Sequence, residues 1–429
     1  MWKRPEDTRA AYLTIKEKKP GHSSFWRQLI QGVCFSVDYL WWNMKKIFYT
    51  GLTGLALFEI LKVYFIMPLP GSQEMESIDV AYFLHTYRWL FRVAFGLMVL
   101  LGLTSAFRTQ RKWLPLVSSV AVIVIIFQFN FRMTAESIFK QPQQLSFKPQ
   151  DESLLNDSSI VIGVAHNGEA KAYPIRFMVY HHQVQDTVGG KPVMVTYCSV
   201  CRTGRVFEPV VNGHNEKFRL VGMDHFNAMF EDATTKTWWR QSTGEAIAGP
   251  LKGEVLPEVT SVQLTIRKWF ELYPEAWVMQ VDEAFRTKYD SLGKFEQGKS
   301  KGELTRTDSL SWQNKSWVVG IEMGTVSKAY DWNLLKERRI INDVVGNQPI
   351  VLALSVDEQS FVAFERPSAT ESFSIRHDTL MANGRHYDFT GQELVGKSEQ
   401  LSKVRAYQEF WHSWRTFHPQ TQQYRENSP

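Results

Sequence analysis

Two of the three cysteines in this 429-residue chain, Cys198 and Cys201, lie three residues apart in VTYCSVCRTG (195–204), at the end of a run that reads as a β-strand. Two thiols at that spacing form a redox couple, part of a metal site, or a pair of small buried side chains. A thioredoxin-type centre sets its first Cys at a helix N-terminus. Here the motif runs on into RTGRVFEPV, a turn and a second strand. Structural zinc wants four ligands, so two more would have to come from His166, His181, His182 or His225. Copper asks for less: two thiolates and an imidazole, with a thioether such as Met223. His181 is the imidazole singled out as ligand or proton partner, which gives Cys198, Cys201 and His181 as the candidate catalytic and metal-binding set. A second block, GMDHFNAMFEDATTKTWWRQSTGEAIAGPL (222–251), offers Asn227, Trp239, Gln241 and Glu245 as groups that could line a cleft.

The elements that must position these groups occur twice. VIGVAHNGEAKAYPI (161–175) matches VVGIEMGTVSKAYDW (318–332), and QDTVGGKPVMVTYCSVCRTGRVFE (185–208) matches NDVVGNQPIVLALSVDEQSFVAFE (342–365), both at an offset of 157. STGEAIAG (242–249) matches FTGQELVG (389–396), and KWFELYP (268–274) matches SWRTFHP (413–419). The shared residues read as scaffold, with Gly189 and Gly346 in turns and Pro192 and Pro349 opening strands. The second copy replaces Cys198 by Ser355, Cys201 by Glu358 and His181 by Arg338. The unit therefore does not need those three residues to fold, which favours a site. Each unit reads as α+β, β-rich, with a C-terminal helix, and the charged stretch 285–310 as a linker or long surface loop.

Formal net charge is +5, but residues 1–133 carry 16 Lys and Arg against 8 acids, and the remainder 33 against 36. The basicity belongs to the N-terminal third, which sets a nucleic-acid partner aside. That third contains apolar runs at 47–67, 89–107 and 113–131, each near the roughly 20 residues that cross a bilayer. Arg92 lies near the start of the second, placed to snorkel, and Glu59 and Lys62 lie i, i+3 within the first, spaced to pair. Basic residues before the first run and between the second and third, with Glu74, Glu76 and Asp79 between the first and second, predict a cytoplasmic N-terminus and an exported chain after about 132. Residues 25–46 fit an amphipathic helix on the inner face, with Cys34 on the reducing side.

The stretches YPIRFMVYHHQVQDTVGGKPVMVTYCSVC and WWRQSTGEAIAGPLKG resemble the bacterial family of unknown function DUF3179, strongly over roughly 160–280 and more faintly beyond. The family motifs fall on Tyr173–Pro174, Tyr180–His181, Asp186 to Gly190, Tyr197 to Cys201 and Trp239 to Glu245. This chain departs at Ser199, where a Pro is usual, and at Arg202, where a small residue is usual. Some members of the family are described as selenoproteins, which implies redox or metal chemistry at the Cys element.

The expected architecture is an α-helical anchor of about three transmembrane helices, then an α+β, β-rich exported region of two tandem repeats. Its segments are 1–46 interfacial, 47–133 membrane, 140–284 the first repeat and 285–429 linker and degenerate second repeat. The expected function is a Cys-x-x-Cys/His redox or soft-metal centre, with a copper or zinc ion as candidate cofactor. Expected partners are the bilayer of the bacterial inner membrane and a redox partner or membrane-complex subunit. The alternative is a non-catalytic binding or scaffold subunit.

Overall fold

The computed structural model describes residues 23–396 and 400–426, with side chains from Asn43 onward. The basic residues Lys3 to Lys19 and the side chains of the amphipathic stretch up to Trp42, Cys34 included, lie outside the described residues. Four helices come first: α1 (Ser23–Tyr64), α2 (Ile78–Thr86), α3 (Arg88–Phe107) and α4 (Trp113–Phe131). The interfacial helix expected before the first apolar run is no separate element, because α1 continues through both. Asn43–Tyr64, Arg88–Phe107 and Trp113–Phe131 are long and apolar enough to cross a membrane, with mean hydropathies of 1.3, 1.9 and 2.1. This is compatible with a membrane anchor.

Residues up to Glu59 and 87–126 form one compact unit. Within it α1 and α3 approach backbone to backbone at Gly102, where an added Cβ would lie 2.4 Å from the Met44 carbonyl oxygen. Phe48, Leu52, Ala106 and Val122 close the apolar seam. Arg92 does not simply reach for the interface: its Nε and Nη2 donate to the two oxygens of the buried Glu59 carboxylate at 2.6 and 3.1 Å. A bidentate charge pair is what makes a carboxylate tolerable among apolar side chains. In the other unit Lys62 donates to Asn130 at 2.6 Å.

That other unit holds residues 60–86 and 127–429 and is a β-rich α+β structure. It opens with α5 (Ala135–Ile138), β1 (Phe147–Lys148), β2 (Ile160–His166), β3 (Glu169–Pro174), α6 (Ile175–His181), β4 (Gln183–Val188), β5 (Lys191–Cys198) and β6 (Thr203–Phe207). A small hairpin, β7 (Val210–Val211) and β8 (His214–Asn215), leads to a four-stranded sheet. This contains β9 (Phe218–Asp224), β10 (Asn227–Asp232), β11 (Trp238–Arg240) and β12 (Ala246–Ala248). Then come β13 (Val262–Thr265), α7 (Ile266–Leu272), β14 (Trp277–Met279), α8 (Arg286–Ser291) and α9 (Gly293–Glu296). The stretch expected as a linker is thus partly helical, with Tyr289 and Phe295 buried beside Phe177 and Tyr180 in the apolar core.

The remaining elements are β15 (Trp317–Met323), β16 (Val326–Asp331), α10 (Trp332–Arg338), β17 (Ile340–Val345), β18 (Gln348–Leu354) and β19 (Phe361–Glu365). A three-stranded meander, β20 (Ser374–Arg376), β21 (Thr379–Ala382) and β22 (Arg385–Tyr387), precedes β23 (Lys403–Val404), β24 (Ala406–Phe410), α11 (Trp411–Phe417) and β25 (Gln422–Gln423). The largest sheet runs β1-β14-β3-β2-β13-β19-β18-β17, with β23 also paired to β19. Its seam is Gln263 opposite Phe361, so early and late strands share one sheet.

Several local arrangements recur along the chain. Val161 pairs with Pro174 across β2–β3, and Val318 with Asp331 across β15–β16. The Tyr173 hydroxyl donates to Asp186 at 2.8 Å, and the Tyr330 hydroxyl to Asp343 at 2.9 Å. The Trp269 ring lies on Gly163 and the Trp414 ring on Gly320, so closely that a Cβ at either glycine would be 2.2 Å from the indole.

Candidate functional site: a buried thiol pair

The apolar run of β5 is buried from Val193 onward and carries Cys198 into the core at its end. Cys198 pairs with Thr203 of β6, and the connecting turn brings Cys201 back beneath it. Both thiols are free and fully buried. The turn closes through Arg202 at φ 57, a left-handed conformation that disfavours a β-carbon. Its guanidinium more than compensates. It donates to the carbonyls of Phe295 and Glu296 and to Oε1 of Gln408, each at 3.1 Å, and stacks 3.7 Å from the Trp317 ring. Arg202 is therefore a buried cationic anchor at the end of the thiol turn.

A second turn covers the sulfurs. β9 and β10 are joined by His225 and Phe226 alone, and both have positive φ, 48 and 66. A two-residue hairpin of this kind normally uses Asn or Gly, so two bulky residues here store strain. The Phe226 carbonyl oxygen lies 3.5 Å from Cys198 Sγ and 3.3 Å from Cys201 Sγ. Asn227 Nδ2 lies 3.4 Å from Cys201 Sγ and 3.0 Å from Gln241 Oε1. Gln241 Nε2 in turn donates to Thr196 Oγ1 and to the Thr203 carbonyl, both at 3.1 Å. Asn227 and Gln241 thus link the 222–245 block to the thiol strand and turn. Trp239 is part of the apolar wall shared with the cysteines, its indole N–H donating to Asp232 at 3.0 Å. Glu245 faces outward in an ion pair with Arg240, which also holds Asp224.

His181 has other partners. It is buried at the end of α6 with Nδ1 against the Lys140 carbonyl and Nε2 against the Tyr289 hydroxyl. Burial pushes its pKa down against the opposing pull of the Lys140 carbonyl and Asp282, so it is held neutral. It is not bonded to either sulfur, and the expected convergence of Cys198, Cys201 and His181 is absent from this arrangement. Among the described residues no group of three or more His, Cys, Asp or Glu is placed to hold a metal ion. His182, at φ 62, is buried against the Phe139 ring, and burial lowers its pKa to about 4. His225 carries its ring to Asp224 at 2.7 Å, and that hydrogen bond raises its pKa.

The groups that the sequence reading missed come from the last third of the chain. The Phe410 amide donates to the Cys201 carbonyl at 2.9 Å, and Ser413 of α11 is fully buried, its hydroxyl without a hydrogen-bond partner among the described residues. Lys315 Nζ donates to the carbonyls of Val200 at 2.8 Å and Leu304 at 2.7 Å and lies 3.0 Å from His412 Nε2. One signal was available: the match of KWFELYP to SWRTFHP sets Ser413 at the position of Lys268, and Lys268 is paired with Asp378, the acceptor of the Ser355 hydroxyl.

The two thiols are pushed in opposite directions. Burial alone would raise Cys198, but the hydrogen bond from Cys201 and those from the backbone at Ala228, Cys201 and Val200 bring it below the ordinary thiol value. Cys201 is raised, first by burial and then by the neighbouring Cys198, with the Asn227 amide only partly offsetting this. Cys198 is therefore the more acidic thiol of the pair.

This strand–turn–strand thiol element on a β-rich scaffold matches the model of a protein family of unknown function, DUF3179, over residues 139–421. The chain belongs to that family. No curated protein and no solved structure matches it.

Proposed function

We propose that the chain is a membrane-anchored protein whose Cys198–Cys201 pair works as a two-electron dithiol/disulfide couple in an exported domain. One observation carries this reading: two buried sulfurs converge on one carbonyl oxygen, with opposite shifts in acidity. The Cys198 thiolate attacks a disulfide of the reactant and expels one of its sulfurs, which takes up a proton. Cys201 then loses its proton and attacks the Cys198 sulfur of the mixed disulfide, releasing the second sulfur of the reactant. Two electrons and two protons pass to the reactant and a Cys198–Cys201 disulfide remains. The test is to equilibrate the full chain in glutathione buffers of stepped ratio, trap free thiols with an alkylating agent, and weigh the products. A reversible step of two thiols, lost in C198S and in C201S, is expected. A pair that stays reduced throughout would exclude the couple and favour a scaffold role.

A soft monovalent ion held by the two thiolates is the second reading. Met223 favours it, because its thioether packs in the same apolar cluster as both sulfurs. Copper(I) titration against a chromophoric chelator tests it, with loss of competition in C198S as the supporting result.

Two further parts of the reading rest on sequence. The basic loops support a cytoplasmic N-terminus and an exported position for everything after about 132; a reporter fused after residue 140 should be active only outside the cytoplasm. A tandem duplication is supported by the recurring strand registers, Tyr–Asp bonds and Trp-on-Gly contacts. In that duplication Ser355 stands where Cys198 does, bonded to Asp378 at 2.8 Å.

A further inference from the structure

The turn between the two cysteines has one face on a cavity. Ser199, buried between two fully buried thiols, lines a cavity of about 340 Å³. Its walls are Phe139, Val179, Tyr180, Leu292 and Phe295, and a volume of this size accommodates a small organic molecule. Lys294 and Lys301 also line it and are exposed, and no carboxylate does. The neighbouring acid, Glu296, is turned into the core to accept the Ile160 amide. Among the described residues neither Lys294 nor Lys301 has an ion-pair partner. Apolar walls with two uncommitted ammonium groups and no compensating acid complement one kind of ligand.

We propose that this cavity binds an anionic, apolar small molecule, of the class of aryl or short acyl carboxylates, with its apolar body against Phe139 and Phe295 and its charge toward Lys294 and Lys301. The inference goes beyond the thiol couple, since binding here needs no redox step. Ser199 would nevertheless bring such a ligand next to the thiol turn.

Phenylbutyrate and the uncharged phenylbutanol are the probes, titrated calorimetrically into the full chain in detergent. Phenylbutyrate should bind about fivefold or more tightly than the alcohol, the scale expected of screened surface charges. The double variant K294E/K301E should bring the acid down to the level of the alcohol while leaving alcohol binding and thermal unfolding unchanged. L292W, which fills the cavity from its half-buried side, should remove both ligands. The C198S/C201S double variant should bind as wild type does, so that failure of the thiol couple and failure of the cavity are seen separately. Equal affinity for acid and alcohol, no binding of either, or acid binding that survives L292W or the charge reversal would overturn the proposal.

Discussion

The ammonium of Lys315 lies 3.0 Å from Nε2 of His412 and donates at 2.8 Å to the carbonyl of Val200, the residue between Ser199 and Cys201. Its remaining bond goes to the Leu304 carbonyl, so every proton on the nitrogen is committed. Burial, joined by the charge of Lys315, lowers His412 to about 3, so its ring is neutral and accepts from the lysine. A half-buried cation therefore ties the thiol turn to the start of α11.

The pH dependence of stability follows from that cation. Burial, the larger effect, pulls Lys315 down from 10.5 to about 8, although charge on the two cysteines pulls it back up. A lysine whose folded pKa lies below its unfolded value costs stability while charged. The folded protein sheds the proton first, so stability rises with pH between about 8 and 10.5. Wild type should therefore gain stability relative to K315M across that window, as measured by urea unfolding at stepped pH. A constant difference between the two proteins would contradict the assignment.

The thiols should react unequally. In C201S the remaining Cys198 keeps a hydroxyl donor beside it and backbone hydrogen bonds on its sulfur, and stays acidic. In C198S the remaining Cys201 is a buried thiol with a raised pKa. Near pH 7, iodoacetamide should modify C201S about tenfold or more faster than C198S, since the thiolate is the nucleophile. Mass spectrometry of timed samples gives the ratio, and a ratio near one would contradict the unequal acidity of the two thiols.

What could be read in the sequence was what is local. The strand into Cys198, the turn and the next strand follow from residue types within ten positions. Asn227 and Gln241 stood out as polar groups of the 222–251 block that could line a cleft, and they do reach Cys201 and the strand after the thiol turn. His181, grouped with the thiols because Arg338 stands at the matching position, has other partners. Its ring goes instead to the Tyr289 hydroxyl on α8, 108 residues further along the chain. The roles of Arg202 and Lys315 were equally out of reach. Their partners lie across the fold from them, and no periodicity or spacing reports such a pairing.

Arg202 offers a stability test. R202G would suit the left-handed backbone but would strand the carbonyls of Phe295 and Glu296 and the amide of Gln408 without their donor. The net cost should be about 2–4 kcal/mol by denaturant unfolding, the range for losing a buried charged group with several hydrogen bonds. R202K should not restore it, because one ammonium cannot reproduce the fork or the stacking on Trp317. A variant within about 0.5 kcal/mol of wild type would show that the turn, and not the guanidinium, holds the site.

The last prediction bears on the duplication. Gly163 lies under Trp269 and Gly320 under Trp414, each with no room for a β-carbon against the indole. Both tryptophans are fully buried in the helix that follows the neighbouring strand, so neither can move aside without opening a core. G163A and G320A should therefore destabilise the protein by similar amounts, about 1–3 kcal/mol each, the scale of overpacking a filled interior. The Trp269→Leu and Trp414→Leu variants, each combined with its alanine, should recover part of the loss by making room. Thermal unfolding of these four variants and wild type, read by near-ultraviolet circular dichroism, separates the cases. If G163A were severe and G320A silent, the two contacts would not be equivalent, and the argument that one half relieved the other of its thiols would lose its structural support.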